Sequence, residues 1–209
     1  MFYEFCHFIV RCFIRTLFRA QAHDGQNIPR TGGFMVVSNH CSFLDPLLVG
    51  GCVRRHMHYL AKRELFRIPV FRNLIRGVNT HPIHRQGLDR NAIRECVDLM
   101  RGGEILLIFP EGTRSRDGNL QPGKAGAAMI AVQAGVPCIP AYVAGSFRAW
   151  PRRRRLPRPT KVHVYYGKPF DLPPRGPGMS SKEHYVICAE EMMRRIAALR
   201  PHFQDTRQA

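Results

Sequence analysis

The sequence predicts an α/β fold: one domain with a mixed, mostly parallel sheet flanked by helices, behind an N-terminal amphipathic helix. Three observations carry that prediction. Short apolar and β-branched runs alternate along the chain with segments of helical period. The run EILLIFP (Glu104–Pro110) is apolar without alternation, as in a strand buried on both faces. The 209 residues, 44% of them hydrophobic, suffice for one core, and no repeat or linker divides them.

The elements follow in order. Met1–Ala20 places Phe2, Phe5, Ile9, Phe13 and Phe18 close to helical spacing, with Val10, Ile14 and Leu17 beside them. Arg11, Arg15 and Arg19 recur every four residues and share a face. Glu4 and these arginines interrupt the apolar run, which falls short of the roughly 18 residues a membrane span needs. No basic n-region or small-residue cleavage site marks a signal peptide. Two readings fit: a basic amphipathic helix lying in a membrane interface, or a helix packing its aromatic face on the core. The cationic charge and aromatic content favour the first.

Ala22–Gly33 is rich in turn residues. Phe34–Ser38 (FMVVS) predicts a strand, and a short helix is expected from near Ser42 across FLDPLLVGG. Met57–Ala61 reads as a strand, and Ile68–Gly77 as a short helix entered through Pro69. Val78–Arg85 reads as a further strand, with Pro82 weighing against it. Asp89–Met100 is helical, with Ile93, Cys96, Val97 and Met100 on one face, Asp89 as N-cap and Gly102 as stop. Lys124–Gly135 is a helix of small residues. Val136–Ala144 and Thr160–Gly167 are strands, separated by the basic, proline-rich loop Trp150–Pro159. Ser180–Arg200 closes the chain as a helix with a serine cap and arginines in its last turns.

A formal net charge of +17 predicts attraction to polyanions: nucleic acid, anionic lipid or a phosphorylated substrate. Nucleic acid is disfavoured, since the chain has no aromatic–basic interleaving and no recognised module. The seven cysteines are scattered without a CxxC pair, which predicts reduced thiols packed as small apolar groups. His56, His58, His81 and His84 have no acidic partner at ligand spacing, so no metal site is predicted.

Two stretches carry chemistry. In FPEGTRS a buried strand ends at Pro110, and Gly112 permits a positive φ. Glu111, Thr113, Arg114 and Ser115 are then displayed on a tight loop. Arg114 can meet a phosphate with two parallel N–H bonds, and the Thr113 and Ser115 hydroxyls can add to it. Lys124 follows where a helix N-terminus also favours an anion. A solvated turn with Arg114 paired to Glu111 fits the same residues. In NHCSFLD, His40 lies at a predicted strand end and Asp45 five residues on. Asp45 can fold back to the imidazole, fix its tautomer and leave Nε2 as a base. Ser42-Phe43-Leu44-Asp45 also has the form of a capping box, in which Asp45 serves the Ser42 N–H. Cys41 points away from His40 on an extended chain, and no GxSxG elbow is present. A His–Asp pair without a nucleophile suggests base catalysis on a substrate hydroxyl.

NHCSFLD resembles the NHxxxxD block of glycerolipid acyltransferases, and FPEGTRS matches a common form of their next strong block. Lys62, Glu64, Leu65 and Pro69, with Ile83-His84-Arg85, resemble the block between them. Val136–Gly145 resembles the fourth. The resemblance runs from Asn27 to about Gly167, in order, and is nearest in kind to the 1-acyl-sn-glycerol-3-phosphate (lysophosphatidate) acyltransferases. Val70 and Phe71 stand where the family often has glycine, and His84 where an acidic residue is common.

What the resemblance implies is an O-acyltransferase that moves a fatty acyl group from acyl-CoA or an acyl carrier protein to the sn-2 hydroxyl of lysophosphatidate, giving phosphatidate. The departures leave a lyso-ornithine lipid or another lysophospholipid as the alternative acceptor. His40 is implied as base and Asp45 as its orienting partner. Glu111, Gly112, Thr113 and Arg114, assisted by Lys62 and Arg85, are implied at the acceptor phosphate, and Val136–Pro140 on the donor side. No cofactor or metal is implied. Residues 1–22 are expected as the membrane-associating helix and 23–209 as the acyltransferase domain. The expected location is the cytoplasmic face of the inner membrane, peripheral or monotopic, with Arg11, Arg15, Arg19 and Arg152–Arg155 holding an anionic surface.

Overall fold

A computed structural model describes residues 2–67, 69–83 and 90–201. The described strands are β1 (Gln21–His23), β2 (Phe34–Ser38), β3 (Met57–Lys62), β4 (Thr80–Ile83), β5 (Ile105–Ile108), β6 (Cys138–Ala144) and β7 (His163–Tyr166). They form one sheet in the order β1-β7-β6-β2-β5-β3-β4. Every neighbouring pair is parallel except β6 and β7. The helices are α1 (Phe2–Phe18), α2 (Asp45–Gly51), α3 (Pro69–Gly77), α4 (Arg90–Arg101), α5 (Ala125–Ala134), α6 (Ser146–Ala149) and α7 (Ser181–Ala198).

The unbroken apolar runs of β2 and β5 reflect burial on both faces. Met35, Val37, Leu106 and Ile108 pack with Ile93, Cys96, Ala128 and Met192 of α4, α5 and α7. Their alternate neighbours Phe34, Val36, Ile105 and Leu107 pack with Ile14, Phe18, Leu44 and Leu48 beside α1 and α2. The strand period of two sends successive side chains into different layers. Each fully buried side chain of this kind contributes roughly 1.5–3 kcal/mol.

The ends of the helices follow local chemistry. Ser180 and Glu183 close a reciprocal box on α7: the Glu183 N–H donates to Ser180 Oγ at 3.2 Å and the Ser180 N–H to Glu183 Oε2 at 2.8 Å. Gly135 ends α5 at φ 66°. Pro82 lies in β4, at the sheet edge, where a missing N–H costs no ladder bond. The expected N-cap Asp89 lies outside the described residues.

Three expectations change. The turn-rich stretch begins within β1, which pairs with β7 through Gln21↔His163 to His23↔Tyr165. Its three residues carry no apolar alternation. The helix expected from Ser42 begins at Asp45, because Ser42 bridges to Pro151 and its backbone is drawn to the Asp45 carboxylate. A four-residue helix, α6, follows β6 where only loop was expected.

α1 is apolar on two sides. Ile14 and Phe18 are buried in the core, while Phe2, Phe5, Phe8, Ile9 and Phe13 face outward, Phe5 and Phe8 being 64% and 63% exposed. The Tyr3 hydroxyl accepts the Met57 N–H at 3.0 Å, and Glu4 meets His56. No helix of the described residues is long and apolar enough to cross a membrane.

Candidate active site

Three adjacent parallel strands, β5, β2 and β6, end on one edge of the sheet, the edge where open α/β sheets place their ligands. Residues just beyond each strand converge there. His40 comes after β2, Glu111 after β5 and Ser146 after β6.

Asn39 splices the first of these ends to the third. Its side chain is buried; Nδ2 donates to the Val143 carbonyl at 3.1 Å and Oδ1 accepts the Val143 N–H at 2.7 Å. The amide thus extends the β2–β6 ladder after the β2 backbone turns away.

His40 is then held through its backbone by FPEGTRS. Its N–H donates to Glu111 Oε1 at 2.8 Å, and its carbonyl accepts the Ser115 N–H at 2.7 Å. Its ring stacks on Phe109 at a centroid distance of 4.0 Å. Nδ1 meets Asp45 Oδ2 at 2.9 Å. The carboxylate is the acceptor, so the ring proton sits on Nδ1 and Nε2 carries the lone pair, on a side chain that is 18% exposed.

Asp45 is fully buried, yet every donor around it is accounted for. Oδ2 also accepts the N–H groups of Cys41 and Ser42, each at 2.7 Å. Oδ1 accepts the Ser146 hydroxyl at 2.6 Å. The helix-cap contact and the imidazole contact read from the sequence are therefore one site, shared by one oxygen. Cys41 Sγ lies 3.2 Å from Ser146 Oγ. Burial, with the Asp45 and Glu111 charges adding to it, pushes the Cys41 thiol well above the ordinary cysteine range. It is not poised as a nucleophile.

Glu111 faces inward rather than toward an acceptor. It is 2% exposed, and its second oxygen accepts the Gln121 N–H at 3.3 Å. Burial pushes its carboxyl up to about 7, against the pull of the His40 and Gln121 N–H groups and with help from the Asp45 charge. Gly112 turns the loop at φ 66°, and a Cβ there would meet Lys124 Cδ at 3.1 Å and Nζ at 3.3 Å. The Lys124 ammonium therefore lies over Gly112. The Arg114 guanidinium sits 3.4 Å from the centroid of the Phe43 ring, so the two blocks touch. The Ser115 hydroxyl is turned to Asp117 at 2.8 Å and is spent inside the loop. Thr113 is half-buried beside them.

Other expected residues lie elsewhere in the fold or outside the described residues. Lys62 ends β3, but its side chain, and all of Arg85 and His84, lie outside the described residues. Val136–Pro140 enters β6 from its opposite end. Cys138 and Ile139 are buried between the layers, so the part of this block nearest the site is its end, Ala144–Gly145, with Ser146 just beyond it. His58 Nδ1 and His81 Nε2 bond to each other at 2.8 Å, and His81 Nδ1 bonds to Glu95 at 2.6 Å. Among the described residues no group of three or more His, Cys, Asp or Glu is arranged to hold a metal. A concavity of about 560 Å³ lined by Asn91, Arg94, Glu95, Asp98 and Glu104 shares no residue with the His40 site.

The arginine loop is pinned beside the site. Arg158 N–H donates to the Ala149 carbonyl at 2.7 Å, Trp150 Nε1 to the Arg154 carbonyl at 3.0 Å, and Ser42 Oγ to the Trp150 carbonyl at 2.8 Å. Asn39 and Ser146 escaped the reading by residue type. The available signal was a glycine ending a strand, with a serine immediately after it.

The sequence model of the family described as Acyltransferase matches residues 19–144. The chain is 26% identical over 198 residues to the 1-acyl-sn-glycerol-3-phosphate acyltransferase of Bacillus subtilis, covering 94% of this chain and 96% of that protein. It is 32% identical over 157 residues to a chloroplastic 1-acyl-sn-glycerol-3-phosphate acyltransferase of Brassica napus, covering 71% of this chain and 45% of that one. The crystal structure of the 1-acyl-sn-glycerophosphate (LPA) acyltransferase PlsC from Thermotoga maritima superposes with a TM-score of 0.72 at 28% identity, covering 95% of this chain and 82% of that one.

Proposed function

The chain belongs to the acyltransferase family, and from that premise we propose that it transfers a fatty acyl group from an acyl thioester to the sn-2 hydroxyl of 1-acyl-sn-glycerol-3-phosphate, giving phosphatidate. The observation that carries this reading is the Nδ1–Asp45 bond of His40, which leaves Nε2 as a base at the strand edge. Relatives that bear this activity by name support the acceptor.

In the proposed reaction His40 Nε2 takes the proton of the sn-2 hydroxyl. The oxygen attacks the thioester carbonyl, and Asp45 stabilises the imidazolium through Nδ1. The tetrahedral adduct expels the thiol by breaking its C–S bond, and Nε2 returns the proton to the leaving sulfur. Positioned base catalysis of this kind contributes about 10²–10⁴-fold. Arg114, set against Phe43, is assigned to the acceptor phosphate with Thr113, Gly112 and the nearby Lys124. Lys62 and Arg85 are kept in that role from the block they match. Glu111 serves the phosphate region indirectly, by fixing the loop and the His40 backbone.

The donor is acyl-CoA or an acyl carrier protein. The enzyme works at the cytoplasmic face of an anionic membrane, with residues 1–22 as its associating helix and 23–209 as the catalytic domain. The outward phenylalanines of α1 enter the interface. Its arginines and the Arg152–Arg155 loop meet the lipid charge at about 1 kcal/mol per close basic residue. No acidic residue occurs between Asp117 and Asp171, so nothing on that stretch offsets its cations.

The test is thiol release from acyl-CoA and from acyl carrier protein against a panel of lysolipids. Release with lysophosphatidate and product phosphatidate is expected. Release only with lyso-ornithine lipid or another lysophospholipid would move the acceptor to that class.

A further inference from the structure

We propose that Ser146 is a positioning residue for the His40–Asp45 pair, its hydroxyl setting the rotation of the carboxylate that carries the imidazole. The proposal rests on the reading of His40 as the base.

Asp45 has two oxygens with different duties. Oδ2 receives three N–H donors: the His40 ring and the Cys41 and Ser42 backbones. Those contacts restrain the carboxylate at one oxygen only, on a Cβ–Cγ torsion whose intrinsic preferences are broad. Oδ1 is engaged by Ser146 at 2.6 Å, from the start of α6 and 101 residues away. A local helix cap has no use for that contact, because the capped N–H groups are all on the other oxygen. What it adds is a fixed plane for the carboxylate, and hence a fixed line from Oδ2 to Nδ1.

The backbone is built to deliver this hydroxyl. Gly145 turns the chain off β6 at φ 89°, and a Cβ there would lie 2.6 Å from the Lys161 carbonyl oxygen. Glycine alone makes that turn, and it places Ser146, fully buried, beneath Asp45.

Proton counting extends the chain by one member. Ser146 has a single hydroxyl proton, and Asp45 takes it. The contact between Cys41 Sγ and Ser146 Oγ at 3.2 Å therefore has the thiol as donor. Burial keeps that thiol protonated, in agreement. The result is a directed chain: Cys41 S–H to Ser146 O–H to the Asp45 carboxylate, which accepts from His40 N–H. Each link polarises the next in the same sense.

The test compares Ser146→Ala, Ser146→Thr and His40→Ala in the full chain, all first checked by thermal melting. Ser146→Ala is expected to lower kcat about 10- to 100-fold while the acceptor KM stays within about twofold of wild type. Ser146→Thr keeps the hydroxyl and is expected to recover most of kcat. The His40 Nδ1–H proton resonance should move in Ser146→Ala and hold its place in Ser146→Thr; where melting falls, this resonance decides. Wild-type kcat in Ser146→Ala, or an unmoved resonance, overturns the proposal. An inactive His40→Ala beside a fully active Ser146→Ala would sink the Ser146 role alone. A fully active His40→Ala would sink the base assignment beneath it.

Discussion

Glu111 accepts the backbone N–H of His40 at 2.8 Å, so the acid of FPEGTRS is a support for the imidazole of NHCSFLD. The carboxyl titrates at about 7 in the folded chain and near 4.5 when unfolded. Between those values the folded state holds more protons, so this group's stabilisation is full at the acid end and is lost as pH rises toward 7. Glu111→Gln removes the titration. Melting temperature against pH, from about pH 5 to about pH 7.5, should fall more steeply for wild type than for the variant. Parallel curves would show that Glu111 does not titrate there.

Asn39 is expected to matter for stability rather than chemistry. Asn39→Ala strands a buried N–H and a buried carbonyl of Val143. The expected loss in urea unfolding is about 2–4 kcal/mol. A loss below about 1 kcal/mol would mean that water replaces both bonds.

Arg114 is expected to act on acceptor binding. Arg114→Ala should raise the lysophosphatidate KM by about 10–100-fold, with a smaller change in kcat. Arg114→Lys keeps charge but loses the planar fork and much of the stacking on Phe43, and should recover only part of that loss. An unchanged KM in both would remove Arg114 from the phosphate site.

The outer face of α1 is expected to govern membrane binding. Phe5→Asp with Phe8→Asp leaves the buried Ile14 and Phe18 untouched. Co-sedimentation with vesicles containing anionic phosphatidylglycerol should drop at least about tenfold, with melting unchanged. Equal sedimentation of variant and wild type would place the membrane contact elsewhere.

These outcomes separate what the residues disclosed from what they concealed. β2, β5 and β6 were legible because burial on both faces leaves apolar runs, and α4 and α7 because each keeps a helical stripe or a cap. β1 was not, since a three-residue polar edge strand has no pattern of its own. His40 and Asp45 could be paired from spacing, which left Asp45 open to ring or helix, and the resemblance chose the ring. The choice was false, since Oδ2 accepts from both. The resemblance assigns Glu111 to the acceptor phosphate, since composition does not disclose that the loop turns this carboxyl inward. Ser146 was out of reach for a different reason. Its partner lies 101 residues away, and only the adjacency of β2 and β6 brings them together.

The central claim is that His40 Nε2 is the base. The most direct measurement is thiol release by purified His40→Ala with lysophosphatidate and an acyl thioester, beside circular dichroism and melting of the same sample. Native spectra and a rate at least about 10³-fold below wild type are expected. A folded His40→Ala that turns over within about tenfold of wild type would contradict it.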